Sequence, residues 1–176
     1  DKELSETCEA LFADIVNKKM YITGGTGSSY HGEAFTFPYD LPNFYAYDET
    51  CAAIALALFC ARLAKRKNAA VYHDVFERAL YNNILAGESK DGKAFFYVNP
   101  LEMCEEAVIY NDSLKQKQHC PIPERVEVFD CSCCLPNLVR LFARVGGFAY
   151  GEEDGVLFVN QYISSDVSAC GIDLSL

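Results

Sequence analysis

From Leu4 to Lys18 apolar residues recur at helical spacing: Leu4, Cys8, Leu11, Phe12, Ile15 and Val16 form one face of an amphipathic helix. The pattern then stops. Between Met20 and Phe44 the chain carries Gly24, Gly25, Gly27 and Gly32 with Pro38 and Pro42. That composition leaves no room for a helix and predicts a long structured loop, which inside a compact domain is usually functional. A second helix is predicted from about Ala46 to Lys67. Its centre, Cys51 to Phe59, is apolar nearly all round, as in helices packed on most sides. Asn68 suits the cap of a third helix ending near Ala86-Gly87, with Val71, Val75, Phe76, Ala79, Leu80 and Leu85 as its inner face.

Farther on, Lys90-Asp91-Gly92-Lys93 reads as a turn and Phe95-Phe96-Tyr97-Val98 as an extended segment. Met103 to Val128 is irregular, with Pro121 and Pro123 discouraging helix. Pro136 suits the first turn of a helix continued by Leu138, Val139, Leu141, Phe142 and Val145 and loosened at Gly146-Gly147. After a turn at Glu152-Glu153-Asp154-Gly155, Val156 to Val159 with Tyr162-Ile163 reads as strand, and Val167 to Leu176 as a second strand. The chain is therefore mainly α and changes to β character near Tyr150.

Half of the 176 residues are apolar, so this is not a disordered tail. A net charge of −10 argues against a nucleic-acid partner, which requires Lys and Arg to replace phosphate counterions. No membrane span is expected either. The most apolar run, Ala52 to Ala64, is shorter than the roughly 20 residues a bilayer needs and ends among Arg62, Lys65, Arg66 and Lys67. The glycines at 24, 25 and 27 are followed by no Lys-Ser or Lys-Thr, which excludes a nucleotide-binding loop. Asp1-Lys2-Glu3-Leu4 is neither an initiator methionine nor a signal sequence, and the chain reads as a piece of something longer. The nine cysteines are an odd number, and Cys8 and Cys60 fall inside helical patterns. Free thiols of that kind point to a reducing, cytoplasmic compartment.

The candidate chemistry lies in Cys131-Ser132-Cys133-Cys134 and, far upstream, Glu49-Thr50-Cys51. Adjacent cysteines rarely form a disulfide, because the bond needs separated Cα atoms and converging Cβ vectors. One carboxylate and several thiolates are instead enough to close a tetrahedral site for zinc, a borderline-soft ion. His31, His73 and His119 share no short spacing with one another and read as structural. Tyr97 in the extended segment is either a contact to a ligand hydroxyl or plain packing.

Several stretches together resemble glycoside hydrolase family 127, the β-L-arabinofuranosidase family. They are Lys19 to Gly27, Gly32-Glu33-Ala34-Phe35, Tyr39-Asp40-Leu41-Pro42-Asn43 and Tyr47-Asp48-Glu49-Thr50-Cys51. The likeness continues through Glu77 to Asn82, Phe95 to Glu102 and Phe129 to Cys134. It implies that residues 1–150 are the later part of an (α/α)6 barrel and residues 151–176 the first strands of a β-sandwich domain. It further implies zinc held by Glu49, Cys51, Cys133 and Cys134, with Cys133 as nucleophile and Glu33 as general acid/base. Cys131 matches no ligand position and is assigned to packing. Leu135 stands where the family more often has proline. The expected substrate is a carbohydrate, with Tyr97 as a candidate sugar contact, and a homo-oligomer is compatible with the apolar helix faces. Two rival readings keep the same residues: a structural zinc module without catalysis, and a thiol redox protein.

Overall fold

A computed structural model describes residues 1–104, 106, 122–131 and 133–176. His119, Cys120 and most of the irregular stretch between Met103 and Val128 lie outside the described residues. The chain is helix-rich, with two small antiparallel sheets at its end.

Helix α1 spans Lys2–Lys18. It starts at Asp1, whose carboxylate accepts the backbone N–H of Glu3 at 3.0 Å, satisfying a donor that the first helical turn leaves free. On its inner face Phe12 is buried and meets Tyr72 edge-on, ring centres 4.8 Å apart. Residues 19–49 form no helix or strand, as expected for Met20 to Phe44, and are pinned instead by isolated bridges Met20↔Thr26 and Ser29↔Ala34.

Helix α2 spans Thr50–Ala64 and not Ala46 to Lys67. The four residues before it are buried but not helical: Asp48 is left-handed (φ 38) and Glu49 is extended (φ −66, ψ 138), bridged to Val98. Hydrophobicity at Ala46 and Tyr47 therefore reports burial, not helix. α3 spans Ala70–Ala79 and packs along α2. It runs through a π turn at Leu80–Ile84 into the short α4, Leu85–Gly87. Asn68 does not cap α3. Its side chain bonds His73 Nε2 at 2.8 Å, and Ala69 occupies the cap position. The inner face consists of Tyr72, Val75, Phe76, Ala79 and Leu80, whereas Val71 and Leu85 are exposed.

α5, Cys134–Phe142, begins at the cysteine cluster, has Pro136 in its first turn and packs on α2 through Leu138 and Leu141. Val139 of that pattern is exposed. α6 is a separate turn of helix, Gly146–Ala149. The β region holds two hairpins, not two long strands. β1 (Tyr150–Glu153) pairs with β2 (Val156–Val159), and β3 (Asp166–Ala169) with β4 (Ile172–Ser175). Asp154-Gly155 and Cys170-Gly171 both turn with positive φ at each residue, the backbone that a tight two-residue hairpin requires. Tyr162-Ile163 lies between the hairpins and belongs to no strand. Among the described residues no helix is long and apolar enough to cross a membrane.

Candidate metal and active site

Glu49 sits at the mouth of α2, but its carboxylate makes no cap hydrogen bond to that helix. The residues on either side of it are tied to the extended 95–99 segment: Thr50 N–H donates to Tyr97 O at 2.9 Å, Thr50 Oγ1 to Phe96 O at 2.7 Å, and Asn99 Nδ2 to Asp48 O at 3.1 Å. These bonds turn the Glu49 side chain toward the first residues of α5. Its Oε1 accepts from Cys133 Sγ at 3.3 Å and from Cys134 Sγ at 3.6 Å. Cys51, the second residue of α2, places its Sγ 3.3 Å from that of Cys134.

Ligand atoms of Glu49, Cys51, Cys133 and Cys134 thus all lie within 4.8 Å of one another. A tetrahedral zinc with sulfur bonds of about 2.3 Å has ligand–ligand edges of about 3.8 Å, close to the 3.9 Å between Cys133 and Cys134 Sγ. The donor set, three sulfurs and one oxygen, suits a borderline-soft dication. Electrostatics agree. Burial pushes the Cys133 thiol up to about 12, the Cys51 and Glu49 side chains adding to it, and Cys134 is raised by its bond with Cys51 and by burial. Packing four potential anions together is unfavourable unless a cation is shared among them. The donor set therefore fits zinc.

Around this cluster other side chains orient the sulfurs. Tyr97, 2% exposed, places its hydroxyl 2.8 Å from Cys133 Sγ and 3.6 Å from Cys131 Sγ, and its ring meets Phe129 edge-on. Burial and those two thiols raise the Tyr97 phenol, which stays neutral. Cys131 is half-buried against the core and is lowered chiefly by the Tyr97 hydrogen bond. It lies beside the four-residue group and is not a member of it. Asn137 Nδ2 donates to Cys51 Sγ at 3.2 Å, and Arg140 in turn donates to Asn137 Oδ1 at 3.2 Å.

Glu33 is displayed by a tight hairpin. Ser29 and Ala34 exchange backbone hydrogen bonds, Glu33 N–H returns to Tyr30 O at 3.1 Å, and Gly32 and Glu33 both take positive φ. Left-handed backbone at a glutamate is strained, and such strain clusters at functional sites. Glu33 Oε1 accepts the Tyr47 hydroxyl at 3.1 Å. Burial, with the Glu49 and Glu33 carboxylates facing the hydroxyl, holds Tyr47 as the neutral phenol. Glu33 also lines an apolar cavity of about 330 Å³ walled by Ile15, Ala52, Leu56 and Phe59.

Below Glu49, the fully buried Asp48 accepts from Asn83 Nδ2 at 2.9 Å, Asn83 being carried inward by the π turn. Burial pushes the Asp48 carboxyl well above its usual range. Gly25 runs directly over this pair, so a Cβ there would collide with both side chains. Sequence reasoning passed over Tyr47, Asp48, Asn83 and Asn137. The signal for the first two was their place inside the Tyr-Asp-Glu-Thr-Cys stretch; the two asparagines offered none. Neither His31 nor His73 joins a metal-capable group among the described residues.

A family model described as the β-L-arabinofuranosidase GH127 catalytic domain matches residues 1–147. A non-reducing end β-L-arabinofuranosidase of Bifidobacterium longum subsp. longum is 38% identical over 167 residues, 94% of this chain and 25% of that protein. The crystal structure of a GH127 β-L-arabinofuranosidase from Geobacillus stearothermophilus T6 aligns with a TM-score of 0.87 at 42% identity, covering 98% of this chain and 27% of that one. A second GH127 β-arabinofuranosidase structure aligns at 0.76 and 36% identity, covering 92% of this chain and 23% of the other. The chain spans about a quarter of the length of these relatives. Matched by the family model over residues 1–147 and aligned over nearly its whole length with such structures, the chain belongs to glycoside hydrolase family 127.

Proposed function

We propose that the protein containing this chain is a retaining glycosidase that releases β-L-arabinofuranose from glycoconjugates or plant polysaccharide. Residues 1–150 are the later part of its (α/α)6 barrel, and residues 151–176 open a β-sandwich domain. The observation that carries the reading is the convergence of Glu49, Cys51, Cys133 and Cys134, with Glu33 one phenol away from Glu49. Zinc held by those four residues would supply the positive charge that keeps their thiols ionised at neutral pH.

In the first step Cys133 Sγ attacks the anomeric carbon as a thiolate. The carbon–sulfur bond forms as the glycosidic carbon–oxygen bond breaks, and Glu33 gives its proton to the departing oxygen. In the second step Glu33, now a carboxylate, takes a proton from water. The water oxygen attacks the same carbon, the carbon–sulfur bond breaks, and the electron pair returns to Cys133. Two inversions leave the configuration retained, with sulfur in the place of the usual second carboxylate. The Tyr97 hydroxyl, 2.8 Å from Cys133 Sγ, steadies the sulfur, and a contact from it to the sugar is the remaining part of the reading.

The test is Cys133→Ala and Glu33→Gln in the whole enzyme, assayed on aryl β-L-arabinofuranosides with bound zinc measured alongside. Cys133→Ala is expected to stay folded, keep part of its metal and lose turnover entirely. Glu33→Gln is expected to keep its metal and lose about 10²- to 10⁴-fold in rate on poor leaving groups. Turnover that falls only in step with zinc loss and unfolding would favour a structural staple. Reversible oxidation of the cysteines that survives chelation, with no turnover of these glycosides, would favour a thiol redox protein.

A further inference from the structure

Glu33 and Glu49 reach the site from different directions. Glu33 comes on a strained exposed hairpin, Glu49 from the buried mouth of α2. Two carboxylates brought together in this way repel unless something between them donates a proton. Tyr47 occupies that position. It lies two residues before Glu49, its ring is 1% exposed, and its hydroxyl donates to Glu33 Oε1 at 3.1 Å while facing the Glu49 carboxylate. The backbone holds it firmly: Tyr47 N–H donates to Ser28 O at 3.2 Å, and the Tyr30 ring leans on its own at 5.8 Å. Tyr30 also accepts the Glu33 N–H, so the same hairpin contacts both ends of the hydrogen bond.

We infer that Tyr47 is a positioning residue for the acid/base step: its hydroxyl fixes the Glu33 carboxyl at a set distance from the metal-binding cluster. The inference rests on the reading of Glu33 given above. A phenol suits the task because it is rigid and has one proton to give. Glu33 itself, on an exposed hairpin, has no other hydrogen-bonded side chain among the described residues to limit its rotamers. Without the hydroxyl the carboxyl would swing, and a displacement of about 1 Å costs on the order of 10²-fold in rate.

The experiment compares Tyr47→Phe and Glu33→Gln in the whole enzyme on two β-L-arabinofuranosides, one with an activated dinitrophenyl leaving group and one with an alkyl leaving group. Departure of the activated phenol needs no proton; departure of the alkoxide does. Tyr47→Phe is expected to lose about 10- to 100-fold in kcat/KM on the alkyl glycoside and little on the aryl one, with zinc content unchanged. Because the readout is a ratio on one sample, partial unfolding cancels from it. A uniform loss on both substrates, with Glu33→Gln still selective, overturns the role of Tyr47 and leaves that of Glu33 standing. A Glu33→Gln variant that is itself unselective overturns the underlying reading.

Should Tyr47→Phe fail to fold, site-specific fluorination of Tyr47 keeps the ring and makes a stronger donor. Stronger donation to a carboxylate favours its charged form, so the alkaline limb of kcat/KM moves to lower pH. The charged groups facing the hydroxyl are Glu33 and Glu49, and the phenols of Tyr97 and Tyr30 are the other titratable groups beside Tyr47. A limb that does not move overturns the inference.

Discussion

One turn into α5, a single amide sets the orientation of a sulfur on another helix. Asn137 Nδ2 donates to Cys51 Sγ while Arg140 anchors the other end of the amide. Groups that hydrogen-bond a metal ligand typically change metal affinity by about 10- to 100-fold when replaced. Asn137→Asp turns the donor into a like charge beside the thiolate, and zinc affinity is expected to fall by about that factor in a chelator competition. Equal affinity would remove Asn137 from the site. The cysteine cluster and the Glu-Thr-Cys triplet were legible because metal binding demands particular residue types; that Cys133 and Cys134, and not Cys131, join Glu49 and Cys51 came from the likeness to the family. Asn137 was not legible, and Tyr47 only by its place in the Tyr-Asp-Glu-Thr-Cys stretch. Hydroxyls and amides serve everywhere in proteins, and only a neighbour about 3 Å away distinguishes these two.

Among the elements, the segment entering α2 differed most from expectation. Periodicity located the buried stretch correctly but could not tell a buried turn from a buried helix, since both hide apolar side chains. What decides is the left-handed Asp48, with its carboxyl tucked under Gly25 and against Asn83. Gly25→Ala is therefore expected to cost about 1–3 kcal/mol, the range for overpacking, and to lower zinc occupancy as Glu49 shifts. The urea midpoint and bound metal report the two effects, and a midpoint unchanged within error would show that the loop relaxes freely. The hairpins carry the same lesson in reverse. Asp154-Gly155 is a hairpin signal of the plainest kind, yet the acidic Glu152 and Glu153 of β1 resemble turn residues because that strand is exposed at its end. Helices α1, α3 and α5 were readable because each buries one face and wets the other.

At the scale of the whole molecule, the cluster joins the start of α2 to the start of α5 across 83 residues of sequence between Cys51 and Cys134. A metal that binds only the folded arrangement stabilises it by mass action. Stripping zinc from the whole enzyme with a chelator is expected to lower its Tm by several degrees, with recovery on adding zinc back; a Tm indifferent to chelation would separate the cluster from stability. The helix-rich, late-β layout could be read from the chain's periodicity. What covers the exposed Leu4, Leu11, Leu135 and Val139 could not, because periodicity marks an apolar face without naming its partner. The separation of the ligands also sets an order of events during synthesis. When Glu49 and Cys51 leave the ribosome, the remaining half of their site has yet to be translated. Any ion they catch is held by two donors and readily lost. Lasting capture would wait for Cys133 and Cys134, and metal acquisition would then be a late checkpoint, passed only by a chain that has already brought α5 home.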